Sequence, residues 1–306
     1  MRIVLIGQAA FAAKTLESML ERGDNIVAVY LPPDRPGGRT DPFKDAAAAK
    51  DIPVYQPATY KDDQVLAEYN ELKPDLTVLA FVTDILPARY FQIPTQGAIC
   101  YHPSILPRHR GASAINWAVI MGAVKTGLTI FRPDGGIDTG EILLQKEIDV
   151  GPDDTTGSLY FNYLFPMGVE AILESIDLIK EGKAPRISQD EALATYEPPC
   201  DDRVAGIDWS KPAVEVHNFV RGCDPQPGAF VMFKDEKIRF YGARLMEESH
   251  DNPPGTILKI DDQGMQVAVS GGKLTISKVR APEIGKVAAA QFAAEKGLSV
   301  GDVLSA

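Results

Sequence analysis

The sequence has few cysteines and no long apolar run. Its three cysteines, Cys100, Cys200 and Cys223, are odd in number and far apart, which fits neither a disulfide framework nor a zinc-binding pattern. No apolar run approaches the roughly 18 residues that a membrane-spanning helix needs, and the apolar run near the N-terminus is too short for the core of a signal peptide. We therefore expect a cytoplasmic protein that has no contact with a membrane.

Positive charge is also scarce. The chain has 31 Lys and Arg against 42 Asp and Glu, a net charge of -11, and residues 211–306 carry 12 of each sign. A net negative charge opposes broad attachment to nucleic acid or to anionic lipid. The balance of charge therefore favours a small-molecule substrate.

The first strand-to-helix turn, LIGQAAFA, lacks the glycines of a dinucleotide fingerprint. Three glycines let the backbone approach a pyrophosphate and let the helix pack against the strand, but Gly7 stands alone in this turn. We therefore expect no NAD in this chain.

The first 180 residues alternate apolar, β-branched runs with helical patterns, which is typical of a parallel sheet with crossover helices. A long helix is predicted over residues 155–181, ending at Gly182. We predict an open, mostly parallel, Rossmann-like α/β sheet in a domain of residues 1–182. The predicted strands are residues 2–6, 26–31, 76–81, 98–102, 128–132 and 141–150.

The pattern changes after this domain. Residues 183–210 lose periodicity and gain proline, so we expect a linker. Residues 211–306 begin with a short helix, PAVEVHNFVRG, and continue with short β-like runs separated by turns, which indicates a smaller β-barrel domain of OB-like type. Its predicted strands are residues 229–233, 238–243, 256–260, 265–268 and 274–279.

Three polar segments follow predicted strands of the first domain and carry Asp84, His102 and Asp138. Open parallel sheets bind ligands outside the carboxyl ends of their strands, so these side chains would face one crevice if the strands are neighbours. A histidine and an aspartate in a cleft can activate a water or an amine and stabilise developing charge. Alone, His102 would be read as a buried structural imidazole and Asp138 as a turn former.

The run YHPSILPRHRGASAINW, with Asp138 in DGGIDTG 36 residues after His102, resembles the signature of folate-dependent formyltransferases. Five further segments, IGQAAF, LFPMG, EGKAPR, IDWSKPA and NFVRGCDPQPGAF, are similar to the N-terminal formyl-hydrolase domain of 10-formyltetrahydrofolate dehydrogenase. The resemblance covers nearly the whole chain. It implies a formyltransferase-type domain, a small C-terminal barrel, 10-formyltetrahydrofolate as substrate and tetrahydrofolate as product, with no metal.

The resemblance also implies roles for particular residues. His102 would transfer protons, and Asp138 would orient it and the attacking water. Two segments would form the folate site: one would line the pterin pocket and the other would provide a rigid, proline-fixed wall. The first segment is Asp84, Ile85 and Leu86, and the second is Ser104, Ile105, Leu106 and Pro107.

Cys100 departs from part of the family. Methionyl-tRNA formyltransferases have an asparagine two residues before the catalytic histidine, where its amide binds the oxyanion, and this position is Cys100 here. The departure favours the hydrolase branch of the family. Cys100 is either a small inert strand residue or a formyl-accepting nucleophile beside His102.

Three functions stay open. The first is removal of formyl from 10-formyltetrahydrofolate to water or to a carrier thiol, the latter on a phosphopantetheine domain. The second is transfer to an amine of methionyl-tRNA or of an amino sugar nucleotide, although the charge makes tRNA an unfavourable partner. The third is a folate-sensing module without turnover. Arg108, His109 and Arg110 would contact a folate tail or an acceptor, or form a solvated basic loop.

Overall fold

The computed structural model describes residues 1–234 and 236–305. Over these residues the strands β1 to β13 are, in order, Arg2–Gly7, Asn25–Tyr30, Val54–Tyr55, Leu76–Ala80, Ala98–His102, Lys125–Phe131, Ile142–Asp149, Ala229–Phe233, Glu236–Met246, Ile257–Asp261, Gly264–Val269, Gly272–Ala281 and Gly285–Ala288. The helices α1 to α9 are Ala9–Glu21, Pro42–Ala48, Asp63–Glu71, Arg89–Gln92, Ala114–Ile120, Thr156–Leu159, Phe165–Lys180, Ala213–Gly222 and Ala289–Lys296. A π-helical turn, Tyr160–Leu164, precedes α7, and a 3₁₀ turn covers Glu191–Leu193.

The chain divides into two compact units that alternate along the sequence. Unit 1 is Met1–Gly111, Gly127–Glu147 and Asn162–Tyr196, and unit 2 is Ala112–Thr126, Ile148–Phe161 and Glu197–Ala306. The domain boundaries at residues 182 and 210 stay predictions.

The sheet of unit 1 has the strand order β3-β2-β1-β4-β5-β6-β7. Strands β1 to β5 pair in parallel, whereas β6 runs antiparallel to β5. The central strands β1 and β4 are buried along almost their whole length, as expected for parallel strands covered on both faces. The predicted mostly parallel, Rossmann-like α/β sheet is confirmed.

Helix α1 covers this sheet through an apolar face that includes Phe11, Leu16 and Met19. A side chain at Gly7, just before α1, would place its Cβ 2.1 Å from the backbone oxygen of Ala80. The glycine at the end of β1 is therefore explained by the close approach of β4. The long predicted helix is divided by the π-helical turn, and its C-terminal part is α7.

Unit 2 contains the antiparallel order β10-β11-β12-β9-β8, with β13 paired to β12. The last described residues join the two edges of this order, because Val303 bridges Thr256 beside β10 and Ser305 bridges Met232 of β8. Among the buried side chains of its apolar core is Trp209. The predicted smaller second β-domain is confirmed, and its strands pair antiparallel. The sequence reading missed β13 and α9.

Candidate active site

Strand β5 carries His102 at its carboxyl end. The strand is apolar, AICYH, and lies between β4 and β6, with Cys100 opposite Leu79 and His102 opposite Thr129. Pairing on both sides fixes the direction of each side chain, so residues 100 and 102 lie on the same face of the sheet. His102 is 6% exposed. The imidazole is thus held at the end of a rigid element.

Both ring nitrogens of His102 face oxygen atoms. Nδ1 lies 3.4 Å from Oδ2 of Asp138, and Nε2 lies 2.8 Å from the backbone oxygen of His109. The same Asp138 oxygen accepts a 2.7 Å hydrogen bond from the backbone N–H of Gly111. The ring is therefore placed between a carboxylate and a carbonyl, an arrangement that can hold a proton and deliver it.

Asp138 reaches His102 by a different route from the one expected. We expected its loop to leave the same sheet edge as the β5 loop, but this expectation is wrong because β6 is antiparallel to β5. The loop after β6 instead turns back, and Asp138 adopts a positive φ of 54°. A non-glycine residue in this region is strained and is held by its surroundings, a feature common at functional sites.

The segment Ser104–Pro107 is tied to the sheet by hydrogen bonds. Thr129 donates to the backbone oxygen of Ser104 at 2.7 Å and accepts from the backbone N–H of Leu106 at 3.1 Å. The side chains of Ser104 and Leu106 are buried, whereas Ile105 and Pro107 are partly exposed. The segment is a fixed wall beside His102, and Ile105 and Pro107 are the members available to a ligand.

The segment expected to line the pterin pocket, residues 84–86, lies after β4. Leu86 is buried, Ile85 is 81% exposed, and Asp84 lines a small pocket together with Gly7 and Tyr60. This pocket lies at the carboxyl ends of β1 and β4, where ligands bind in open α/β sheets. The placement fits a folate-binding role, which stays a prediction for all three residues.

Cys100 is half-buried between β4 and β6. Burial, and secondarily the charge of Asp138, raise the pKa of its thiol. A raised pKa leaves little thiolate at neutral pH, and the thiolate is the nucleophilic form. The environment therefore favours an inert strand residue over a formyl-accepting nucleophile.

Arg110 is the main correction to the sequence reading. We expected Arg108, His109 and Arg110 to contact a ligand or to form a solvated loop, but Arg110 is only 1% exposed. Its guanidinium binds both carboxylate oxygens of Glu191 at 2.9 and 2.6 Å and the side-chain oxygen of Gln189.

Sequence reasoning gave Gln189 and Glu191 no role. They lie 79 and 81 residues after Arg110 in a stretch without periodicity. The sequence therefore marked Arg110, through the PRHRG motif, but not its two partners. These side chains cover Arg110 from the segment predicted as a linker.

Two absences apply to residues 1–234 and 236–305. They include no cluster of three or more His, Cys, Asp or Glu side chains arranged to hold a metal ion. They also include no helix with the length and apolarity needed to cross a bilayer.

Comparison with known families assigns both parts of the chain. Residues 1–174 match the family described as Formyl transferase, and residues 201–297 match its C-terminal domain. The chain therefore belongs to the folate-dependent formyltransferase family.

Two kinds of relative are similar over long stretches. The chain is 36% identical over 307 residues to cytosolic 10-formyltetrahydrofolate dehydrogenase of Xenopus laevis, covering 95% of this chain and 34% of that one. It is 37% identical over 310 residues to methionyl-tRNA formyltransferase of Acetivibrio thermocellus, covering 99% of both chains. The chain thus spans about a third of the length of the dehydrogenase relatives that it matches.

Solved structures share the fold at low identity. HypX from Aquifex aeolicus in complex with tetrahydrofolic acid aligns with a TM-score of 0.71 and 20% identity, over 100% of this chain and 51% of that one. A sugar 3N-formyl transferase, WlaRD, aligns with a TM-score of 0.70 and 18% identity, over 92% and 98% of the two chains.

Proposed function

We propose that the protein removes the formyl group from 10-formyltetrahydrofolate and passes it to water or to a carrier thiol. The observation that carries the proposal is the approach of His102 Nδ1 to Asp138 Oδ2 at 3.4 Å in a chain of the formyltransferase family. The residues after β4 and the Ser104–Pro107 wall would contact the folate. The first candidates for such contacts are the exposed Asp84 and Ile85 and the partly exposed Ile105 and Pro107.

The reaction requires a nucleophile for the formyl carbon, a hydrogen-bond donor for the oxyanion and a proton donor for N10. Water attacks the formyl carbon, the carbonyl oxygen becomes an oxyanion, and the bond to N10 breaks as that nitrogen takes a proton, giving formate and tetrahydrofolate. Asp138 would accept a proton from water and orient the imidazole, while His102 would stabilise the oxyanion and supply the proton to N10.

The cysteine at position 100 supports water or a thiol, and not an amine, as the formyl acceptor. An asparagine at this position would provide an amide donor for the oxyanion, whereas a thiol is a weak donor. The relatives named 10-formyltetrahydrofolate dehydrogenase, which include the human cytosolic enzyme at 41% identity over 250 residues, support the same branch.

Transfer to methionyl-tRNA is the second candidate. It is favoured by relatives named methionyl-tRNA formyltransferase, whose full length this chain matches. The equal numbers of positive and negative side chains in residues 211–306 oppose it, because tRNA binding depends on neutralising phosphates.

One assay separates these candidates. Purified protein is mixed with 10-formyltetrahydrofolate, and tetrahydrofolate and formate are followed with no acceptor, with a thiol such as phosphopantetheine, and with methionyl-tRNA. We expect equal amounts of formate and tetrahydrofolate without acceptor, or faster tetrahydrofolate release with the thiol. Release that occurs only with methionyl-tRNA would contradict the proposal and establish the second candidate.

The variant Asp138→Asn serves as the matched control in each arm. It keeps the shape of the side chain and removes its charge, so release of tetrahydrofolate should fall in whichever arm is active. Unchanged release would show that the reaction does not use this pair.

A further inference from the structure

Arg110 is a buried charge with an unusually complete set of partners. Besides the two Glu191 oxygens, its Nη1 donates to the Tyr196 hydroxyl at 2.7 Å, and its Nε and Nη2 both donate to Gln189 Oε1, at 3.1 and 2.8 Å. Glu191 and Tyr196 are largely exposed, at 68% for the Glu191 side chain and 56% for Tyr196. Residues 189–196, which we call the strap, therefore form a cover over Arg110.

Gln189 links Arg110 to the loop that carries Asp138. Its amide oxygen accepts from Arg110, and its amide nitrogen donates to the backbone oxygens of Asp138 at 2.8 Å and Gly140 at 2.7 Å. Because one side of the amide is fixed by a guanidinium, its orientation is set, and both N–H groups point at the Asp138 loop. This contact holds the backbone of a residue whose positive φ is itself strained.

The strap also holds the backbone on the other side of the catalytic pair. Thr195 accepts from the backbone N–H of His109 through its hydroxyl at 2.8 Å and from that of Arg110 through its backbone oxygen at 3.0 Å. The backbone of His109 contacts His102, and that of Gly111 contacts Asp138. The residues that flank Arg110 thus supply one hydrogen-bond partner to each member of the pair.

We propose that the strap positions the catalytic pair, with Gln189 holding the backbone of Asp138, Thr195 holding the backbone of His109 through its N–H group, and Arg110 fixing the Gln189 amide. The inference rests on the proposed function, since it assigns positioning residues to that same site. Small displacements of reacting groups cost large factors in rate. A loosened strap should therefore lower kcat while leaving the KM for 10-formyltetrahydrofolate nearly unchanged.

The test compares two variants of Gln189 with a control variant at a nearby residue of the same segment. Gln189→Glu keeps an oxygen for Arg110 but has no N–H for the Asp138 and Gly140 carbonyls, and Gln189→Ala removes both contacts. The control is Arg186→Gln, which breaks an exposed 3.0 Å ion pair with Glu141. We expect kcat to fall about tenfold or more in both Gln189 variants, KM to change less than about threefold, and the control to stay within about twofold of wild type.

Equal kcat in Gln189→Glu and wild type would overturn the inference, because it would reduce Gln189 to a partner for the Arg110 charge. A rise in KM with kcat unchanged would also overturn it, since it would place the strap in substrate binding. If Gln189→Glu does not fold, Thr195→Val decides, with the same loss of kcat expected and an unchanged kcat contradicting the inference. A wild-type protein that releases tetrahydrofolate with none of the acceptors would refute the proposed function instead.

Discussion

Both units bury polar as well as apolar side chains, and one group from each unit shows what the two kinds of burial provide. In unit 1, the buried polar residues His102, Arg110 and Thr129 are joined to their neighbours by directional hydrogen bonds. In unit 2, aromatic side chains such as Trp209 and Phe240 belong to a large apolar core. Apolar burial is non-directional, whereas a buried polar group costs free energy unless it meets a partner in good geometry. The buried polar side chains of unit 1 therefore have fixed orientations, which supports the proposal that this unit carries the chemistry.

The charges that line a groove of unit 2 bear on the choice of formyl acceptor. The open groove along the sheet of unit 2 is lined by charges of both signs, Arg244 and Lys259 with Asp153 and Asp261. Mixed charge produces no strong field of one sign, which a polyanion would require. This groove therefore offers polar contacts without a strong field of one sign.

The largest expected effect is a loss of turnover when His102 of unit 1 is replaced, and His217 of unit 2 provides the comparison. His102→Ala and Asp138→Ala should each lower turnover by about a hundredfold or more, because each removes a proton-transfer or electrostatic group. His217 is equally buried in unit 2 and contacts the backbone oxygen of Ala243 at 3.3 Å. We expect His217→Ala to keep turnover within about twofold and to lower the thermal midpoint. Steady-state kinetics and thermal unfolding of the three variants check this, and a comparable kinetic loss at His217 would break the comparison.

The next effect concerns the oxyanion. Cys100→Asn should raise turnover with water by restoring a donor worth roughly 1 to 3 kcal/mol, whereas Cys100→Ala should change it little. Rates of formate release measure both. A formyl-thioester on Cys100, trapped by mass spectrometry, together with loss of activity in Cys100→Ala, would make the thiol catalytic after all.

A smaller effect is the pH dependence of stability from unit 2. Burial, and secondarily the nearby Arg221, lower the pKa of His217, against the opposing effects of its Ala243 hydrogen bond and Asp153. Above about pH 6.5, the ordinary value for histidine, the ring is neutral in both states. Below it the unfolded chain binds the proton more readily, so the free energy of unfolding should fall as the pH drops.

Urea denaturation at several pH values between 7 and 5 measures this effect. His217→Gln should show a weaker decline than wild type over that range. Identical slopes in the two proteins would exclude His217 as the source.

The smallest effect is expected with tRNA. With a net charge of -11 and a balanced C-terminal part, few phosphates can be neutralised, so binding at physiological salt should be weak. Titration at several salt concentrations tests this. Sub-micromolar affinity with a steep salt dependence would show that the surface argument about unit 2 is wrong.

Most of the fold could be predicted from the sequence because the spacing of apolar residues indicates which positions are buried. The residues of β5 and β8 were predicted with their observed bounds, since both are short apolar runs bounded by turns. The direction of β6 was not predictable, because the alternation of apolar residues is the same whether a strand pairs parallel or antiparallel.

The candidate site was predictable only in part. His102 and Asp138 were found from their positions after predicted strands and then from motif resemblance, and the structure brings them together. Arg110 was misjudged because an arginine in a polar loop reads as exposed, and its burial depends on partners some 80 residues away. Gln189 and Thr195 act through backbone groups of other residues, a relation that leaves no trace in residue type or spacing.

The central claim is that the His102–Asp138 pair releases formyl from 10-formyltetrahydrofolate. Its most direct test is nuclear magnetic resonance with carbon-13 in the formyl group, which follows substrate and formate together in wild type, His102→Ala and Asp138→Ala. We expect labelled formate from wild type, or a labelled thioester when a carrier thiol is present, and release that is slower by about a hundredfold or more in both variants. Release by either folded variant within a few-fold of wild type would contradict it.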